Sequence, residues 1–518
     1  MKQRLTYLLP ANSSLAPSDL SVKADRLDFA KAPQAHEEWR VTLGLHELPD
    51  ELKLFLVGCQ ELHLRWSSRR PHVLTPPLVS RLPAGLHVFL TPSGVEDDLP
   101  ICNLLKKLVG DESKCDSVHE SFARLPAVSE SPAQPATFQW YQNSSIRREG
   151  LAEVFLGKIC PPSSANSDWG RACDSLIRTL DDASHVDVDF DAAGQTLDFT
   201  AYWSAEDDAV SRESSGRVYR KAGPEGRLEV GVLHAEEAKD SGELSLGGYL
   251  TVIGEDERPS ATLFSFPSRH HPLPPTSAGA TFKTTIQHPS GLHPKLHLHL
   301  PRQPLTQRPQ ETCTLHTYLT LPSTLFIDRF QLSDRLFLDS QNLVSLQSLI
   351  GEDDLEAPDW VIRRWGSAAL VELAAPGAGL DGEGEMWTAT IPLHLRYLSP
   401  LLSDVGTDST AGVQIPWPIV FWACEVEDAE LNLDNNPFDR VDLGFDGLFT
   451  PQTLFYHVPP AGDAMRLVEE IQVPVLRADS AGLVQIGIFL AVVGGFAWIC
   501  WQLARAVDNG KGKGKKRR

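Results

Sequence analysis

The chain has 518 residues, 47 of them lysine or arginine and 68 aspartate or glutamate, for a formal net charge of −21. A phosphate backbone would repel so acidic a chain, which excludes nucleic acid as a partner of its bulk. The length is enough for two or three domains with a sizeable core, and 38 prolines with 37 glycines point to many turns and short strands.

The chain opens MKQRLTYLLPANSS, a basic start with only about five apolar residues before Pro10. That is shorter than the apolar core of a secretory signal. GLHELPDELKLFL, ELHLRWSS and GLHVFLTP follow as short apolar segments broken by proline and glycine. DLPICNLLKKLVG predicts a helix with Asp98 as N-cap, Pro100 in the first turn and a stop at Gly110. The stretches 129–136 and 204–217 are polar loops, and TLDFTAYW, RLEVGVL, GGYLTVIG and ATLFSF have the β-branched and aromatic content of strands. RHHPLPPTSAG (269–279) is the candidate linker, which divides the chain into a β-rich region 1–268, a linker 269–290 and a second β domain 291–480.

In MWTATIPLHLRYLSP, Trp387, Ala389, Ile391, Leu393, Leu395 and Tyr397 fall on one face and Thr388, Thr390, Pro392, His394 and Arg396 on the other. A period of two is a half-buried strand, and Pro392, which donates no ladder hydrogen bond, places it at an edge or bulge. CTLHTYLTLP, TLFID, WVIRRWGSAALVELA, PIVFWACEVE and TLFYHVP continue the pattern, with a Gly-rich loop at 376–385. The expected fold class is mainly β: antiparallel sandwich or barrel-like domains with a few short helices, plus one C-terminal membrane helix.

That helix is read from GLVQIGIFLAVVGGFAWICWQLA, residues 482–504, which carry no charge and are long enough to cross about 30 Å of hydrocarbon. Trp498 and Trp501 lie toward one end, where amphipathic rings prefer the headgroup level. The tail 505–518 holds seven basic residues against Asp508, a net of +6, so the overall −21 leaves −27 for everything before it. Positive flanks stay cytosolic, which places the tail in the cytosol and the acidic bulk in the lumen. Lys515 and Lys516, fourth and third from the end, look like a dilysine signal for retrieval to the endoplasmic reticulum (ER). Two N-glycosylation sequons, at Asn12 and Asn143, agree with a lumenal bulk. The short start of the chain points instead to a tail-anchored protein. Lumenal bulk then requires a true start codon upstream of this one, or an unconventional route of translocation.

Several candidate sites are weighed against simpler readings. Asp187, Asp189 and Asp191 of DVDFD could hold a divalent metal, but an alternating strand with Val186, Val188 and Phe190 inward and the aspartates in water explains the same residues. His288, His293, His297 and His299 include a pair on one strand face, as zinc ligands can lie, yet no cysteine or acid completes a site, and neutral imidazoles on a solvated edge are expected. No Ser sits in a GxSxG elbow, KGKGKK lacks the Ser/Thr of a phosphate loop, and NLDNNPFDRVD lacks the glycine and glutamate spacing of an EF-hand. No catalytic residue, cofactor or metal is therefore expected. Cys102/Cys115 and Cys160/Cys173 are each thirteen apart, so lumenal disulfides are possible, although spacing does not settle pairing. Gly487, Ala491 and Gly495 recur every fourth residue and line one face of the membrane helix, where small residues let a partner helix approach closely.

CTLHTYLTLPSTLFIDRFQL, IPLHLRYLSP and PWPIVFWACE, followed by one C-terminal span, resemble the phosphatidylinositol-glycan class X (PIG-X) family, with HLRYLSP the most specific piece. The likeness covers roughly residues 291–505, and the longer first half, with LGLHELPDELK and ELHLRW, looks like the fungal protease B non-derepressible form. The resemblance implies an ER membrane protein with a lumenal β-rich domain, a non-catalytic subunit of glycosylphosphatidylinositol (GPI) mannosyltransferase I. Its partner would be the multi-span catalytic subunit that adds the first mannose to the GPI precursor from dolichol-phosphate mannose. The alternative is an ER membrane-anchored folding factor with several clients. A glycosyltransferase using DVDFD is a third reading, disfavoured because one helix cannot build a cavity in the bilayer for a lipid-linked donor.

Overall fold

The computed structural model describes residues 1–518 apart from 11–16, 25, 30–33, 95–98, 111–112, 127–135, 147, 157–176, 206–225, 241, 289–290, 306, 377–385, 401–409, 427–435, 437, 439–443 and 515–518. Asn12, Asp98, Cys160, Cys173, Lys515 and Lys516 therefore lie outside the described residues, as do most of the loops expected at 129–136, 204–217 and 376–385.

Eleven strands of the first half pair with one another: β1 (Lys2–Leu9), β2 (His36–Gly44), β3 (Cys59–Ser67), β4 (Gly85–Pro92), β5 (Ala123–Arg124), β6 (Phe138–Gln142), β7 (His185–Asp191), β8 (Thr196–Trp203), β9 (Arg227–Glu236), β10 (Glu243–Val252) and β11 (Ser260–Pro267). All belong to one sheet, in the order β11-β10-β9-β1-β2-β8-β7-β3-β4-β6-β5. Every pairing is antiparallel except that of β1 with β9. The short apolar start of the chain is thus an interior strand, with Leu5, Leu8 and Leu9 buried. The β7–β8 hairpin closes through Asp191, whose carboxylate accepts the backbone N–H of Ala193 and Gly194, while Gln195 takes the left-handed conformation at φ 50°.

Two helices brace this sheet. α1 (Asp50–Val57) buries Leu52, Phe55 and Leu56, and α2 (Ile101–Val109) buries Ile101, Cys102, Leu105 and Leu108. Helix α2 stops at Gly110, as the sequence predicts, because that residue's φ of 98° suits glycine alone. Its N-terminus differs from expectation: the helix begins at Ile101, and Pro100 stands at the cap position with no side-chain capping bond. A Cys102–Cys115 disulfide, with Cα atoms 5.3 Å apart, ties α2 to the segment that follows.

The second half contributes β12 (His270–Pro272), β13 (Lys283–Ile286), β14 (Lys295–Pro301), β15 (Thr314–Pro322), β16 (Leu343–Gly351), β17 (Gly366–Leu373), β18 (Met386–Pro392), β19 (Ile419–Glu425) and β20 (Thr453–Val458). A six-stranded sheet runs β12-β20-β19-β15-β17-β16 and a three-stranded one β13-β14-β18. Pro392 ends an edge strand, in keeping with its missing donor. A second disulfide, Cys313–Cys424, joins the start of β15 to β19 across 111 residues. The stretch read as a linker is built into this sheet: β12 pairs in parallel with β20, and Arg269, His270 and His271 are buried.

By their contacts the described residues divide into two units, 1–396 with 414–470 and 397–413 with 471–518. The first holds both large sheets, and a single apolar cluster joins them: Trp39, Trp140 and Phe199 from the first half lie in one core with Tyr318, Trp365, Phe421 and Phe455 from the second. Polar bonds fix the same junction. The Gln139 amide donates to the Tyr318 hydroxyl at 2.9 Å, the Trp365 indole N–H donates to the Gln139 carbonyl at 2.9 Å, and Trp365 meets Tyr141 edge-on at 5.5 Å. The second unit contains α3 (Ala481–Gly514), and the helical segment Ala478–Ala506 that includes its first part is long and apolar enough to cross a membrane, with none of its apolar stretch buried.

Truncating Trp365 would leave a cavity and an unpaired Gln139 carbonyl at the junction of the halves. We expect Trp365→Ala to destabilise the first unit by about 3–5 kcal/mol and to lower a single unfolding transition. Calorimetry showing an unchanged transition, or two that move separately, would contradict a shared core.

Candidate functional site

The large sheet has one apolar face and one ionic face. Cross-strand register sets Arg65 opposite Asp187 and His63 opposite Asp189. Arg65 grips Asp187 with two parallel bonds, Nε to Oδ1 at 2.6 Å and Nη2 to Oδ2 at 2.8 Å. Its Nη1 donates to the Ser80 carbonyl at 3.3 Å. His63 Nδ1 bonds Asp189, and His185 Nε2 lies 3.8 Å from Asp187. Two strands further along, Arg40 and Arg4 converge on the fully buried Glu38, at 3.0 and 3.7 Å.

This corrects the expectation that the DVDFD aspartates face water. Asp187 is buried, Asp189 half-buried, and only Asp191, capping its hairpin turn, is exposed. The alternation was read correctly, but the polar face is covered by residues 68–84, whose Ser80 takes Arg65 and whose Val73 carbonyl accepts the Tyr202 hydroxyl at 3.1 Å. The matching alternation of His63 and Arg65 in ELHLRW was the legible sign of an ionic partner strand. With both oxygens of Asp187 bonded to Arg65, this carboxylate serves an ion pair. Among the described residues no group of three His, Cys, Asp or Glu side chains is placed to hold a metal.

A second buried cluster was not read from sequence at all. His270 Nε2 bonds Asp446 Oδ2 and its Nδ1 bonds His457 Nε2, both at 2.9 Å. Beside them Arg269 donates to the carbonyls of Asp446, Thr450 and Thr453 and lies over the Phe455 ring. Of the four candidate histidines, His288 and His293 are exposed and precede β14, while His297 and His299 sit on it, and it is the central strand of its sheet rather than an edge. His297 bonds Thr390 at 3.0 Å, and His299 bonds Thr388 and Thr285 at 2.9 Å each. Burial lowers the pKa of both. His293 meets His394 at 3.0 Å.

Electrostatics follow from burial. Burial alone would raise Asp187, but the charge and hydrogen bonds of Arg65 outweigh it and hold the carboxyl below its usual range. Desolvation lowers His36 and His185 to about 4 and His87 to about 3, and takes His457 well below 6.5.

Of the sequence-derived sites, Asn143 follows β6, and both polar atoms of its side chain are enclosed while its carbonyl accepts from Arg69 at 2.8 Å. Gly487, Ala491 and Gly495 stand one turn apart on α3, and a side chain built at either glycine would meet no atom within 4 Å. Near the end of the apolar run the Arg505 guanidinium lies 4.3 Å over the Trp501 ring, a cation–π contact suited to the membrane interface.

Comparison with known proteins gives this arrangement a family. A family model described as PIG-X / PBN1 matches residues 289–504. Proteins named pbn1 from Emericella nidulans, Aspergillus fumigatus and Neurospora crassa are 40%, 39% and 38% identical, each over 97% of this chain and 95% of the relative. The chain belongs to the PIG-X/PBN1 family. Its likeness to the fungal pbn1 proteins extends over both large sheets, so the family covers the ionic face as well as residues 289–504.

The buried histidines set a pH dependence. Their folded pKa values lie below the ordinary 6.5, so below that pH the unfolded chain binds protons that the folded one refuses. Stability is then full above pH 6.5 and falls with acidification, each such histidine adding a slope of up to about 1.4 kcal/mol per pH unit. The unfolding temperature should drop steadily as pH is lowered from neutrality toward 5. A flat profile across that window would show these imidazoles to be solvated in the folded chain.

Proposed function

We propose that the chain is the non-catalytic subunit of GPI mannosyltransferase I, and that it stabilises the multi-span catalytic subunit adding the first mannose from dolichol-phosphate mannose. Membership of the PIG-X/PBN1 family over nearly the whole length carries this reading. The chemistry of the chain agrees with it. A large β body joined to one apolar helix offers a membrane enzyme a folded partner, and the buried carboxylates of Asp187 and Glu38 are engaged in ion pairs.

The proposed setting is the ER membrane, with the β body lumenal and the tail cytosolic. The −27/+6 charge asymmetry supports this orientation. The Cys102–Cys115 and Cys313–Cys424 disulfides also support it, because such bonds persist in an oxidising compartment. Lys515 and Lys516 would then face the cytosol, where a retrieval receptor could read them. Gly487, Ala491 and Gly495 are the proposed contact with a partner helix, since apolar burial gives no driving force between helices in lipid and close backbone approach must supply it.

Replacing Gly487 and Gly495 with Leu keeps the span apolar but forces neighbouring backbones apart. Contacts of this kind are worth only about 1–2 kcal/mol each, so the expected result is partial: a lower steady-state level of the catalytic subunit and accumulation of the unmannosylated GPI precursor. Extra catalytic subunit should partly restore mannosylation. Normal partner levels in this variant would move the contact to the β body. Normal mannosylation after deletion of the whole protein, with many transient clients on purification, would replace the subunit reading with that of a folding factor.

A further inference from the structure

A small cavity lies in the first unit between residues 65–84 and a wall from the second half that includes Phe282 and Trp417, with about 30 Å³ of room for water-sized groups. Arg65 and Arg81 both line it, and they differ in one respect. Arg65 is neutralised by its paired bonds to Asp187. Arg81, also more than nine-tenths buried, has a single side-chain hydrogen bond, from Nη2 to the His72 carbonyl at 3.1 Å, and no carboxylate partner among the described residues. Burial lowers its pKa to about 10, the mark of a guanidinium held without a counter-charge.

A buried cation with no anion beside it is costly, and the apolar wall opposite raises that cost. His185, also in the lining, is kept neutral by its own burial and so adds no second positive charge. The remaining N–H groups of Arg81 form a planar fork suited to a two-oxygen acceptor. The space amounts to two or three water positions, given that one water needs about 10–15 Å³. That admits a compact oxyanion and excludes a bulky one.

We propose that this cavity is a binding site for a small carboxylate monoanion, held by Arg81, which joins the two halves of the chain by completing the charge at their junction. The site is independent of the mannosyltransferase reading. It predicts that such an anion binds the folded state alone and so raises its unfolding temperature with saturation.

The test uses the full-length protein in detergent, titrated with formate against gluconate at matched ionic strength, since gluconate carries the same charge on a body too large to enter. Formate should raise the unfolding temperature in a saturable way and gluconate should not. Arg81→Met, which keeps the aliphatic stem, should lose the difference, and Arg81→Lys should keep part of it. Equal curves for formate and gluconate in the wild type would overturn the proposal, and that comparison needs no variant to fold. A formate effect that survives in Arg81→Met would also overturn it. So would an equal stabilisation by inorganic phosphate, whose second charge finds no second unpaired cation among the described residues of the lining.

Discussion

An eleven-stranded sheet presents two broad faces, and over its central strands this protein leaves neither to water. The apolar face shares its core with side chains of α1 and α2. The second half packs on the other face, where Gln139 and Tyr141 stand in register with His63 and Arg65: the Gln139 amide bonds Tyr318, its carbonyl receives Trp365, and Trp365 meets Tyr141. A single core thus spans both halves. The face that meets the second half also carries charge, which a covered surface tolerates only when each ion is met by a partner. Arg65 with Asp187, and Arg4 and Arg40 with Glu38, meet that condition. Such pairs add little net stability over apolar packing, but removing one partner strands the other, so they constrain which strands can lie side by side.

Much of the architecture could be read from the sequence because it depends on local periodicity. The alternation in MWTATIP, the stop of α2 at Gly110 and the apolar run of α3 each follow from short-range physics. What could not be read depends on distant contacts. RHHPLPP looks like a linker in isolation, since proline and histidine signal exposure, yet Asp446 and His457, nearly two hundred residues later, receive His270. The aspartates of DVDFD alternate as a solvated face would, and only the fold brings Arg65 over them. In each case the residue type was read correctly, and its surroundings came from the other half of the chain or from a covering loop.

This organisation bears on how an accessory subunit could work. A β body with one shared core unfolds as a unit, so it offers a membrane partner a surface that does not fray piece by piece. The membrane helix α3 is open along its ridge of small residues, where a partner's helix would add contacts without changing the body. The proposed role needs no chemistry from this chain, only persistence, and the interlocked halves provide for that.

Native-state hydrogen exchange on the full-length protein tests the shared core most directly, because it reports the opening free energy of each strand separately. If one core joins the halves, the slowest amides of β6 and of β15 exchange only through the same global opening, with equal free energies. Exchange of the first-half strands through an opening of lower free energy, while β15 stays protected, would show two independent domains and contradict the account.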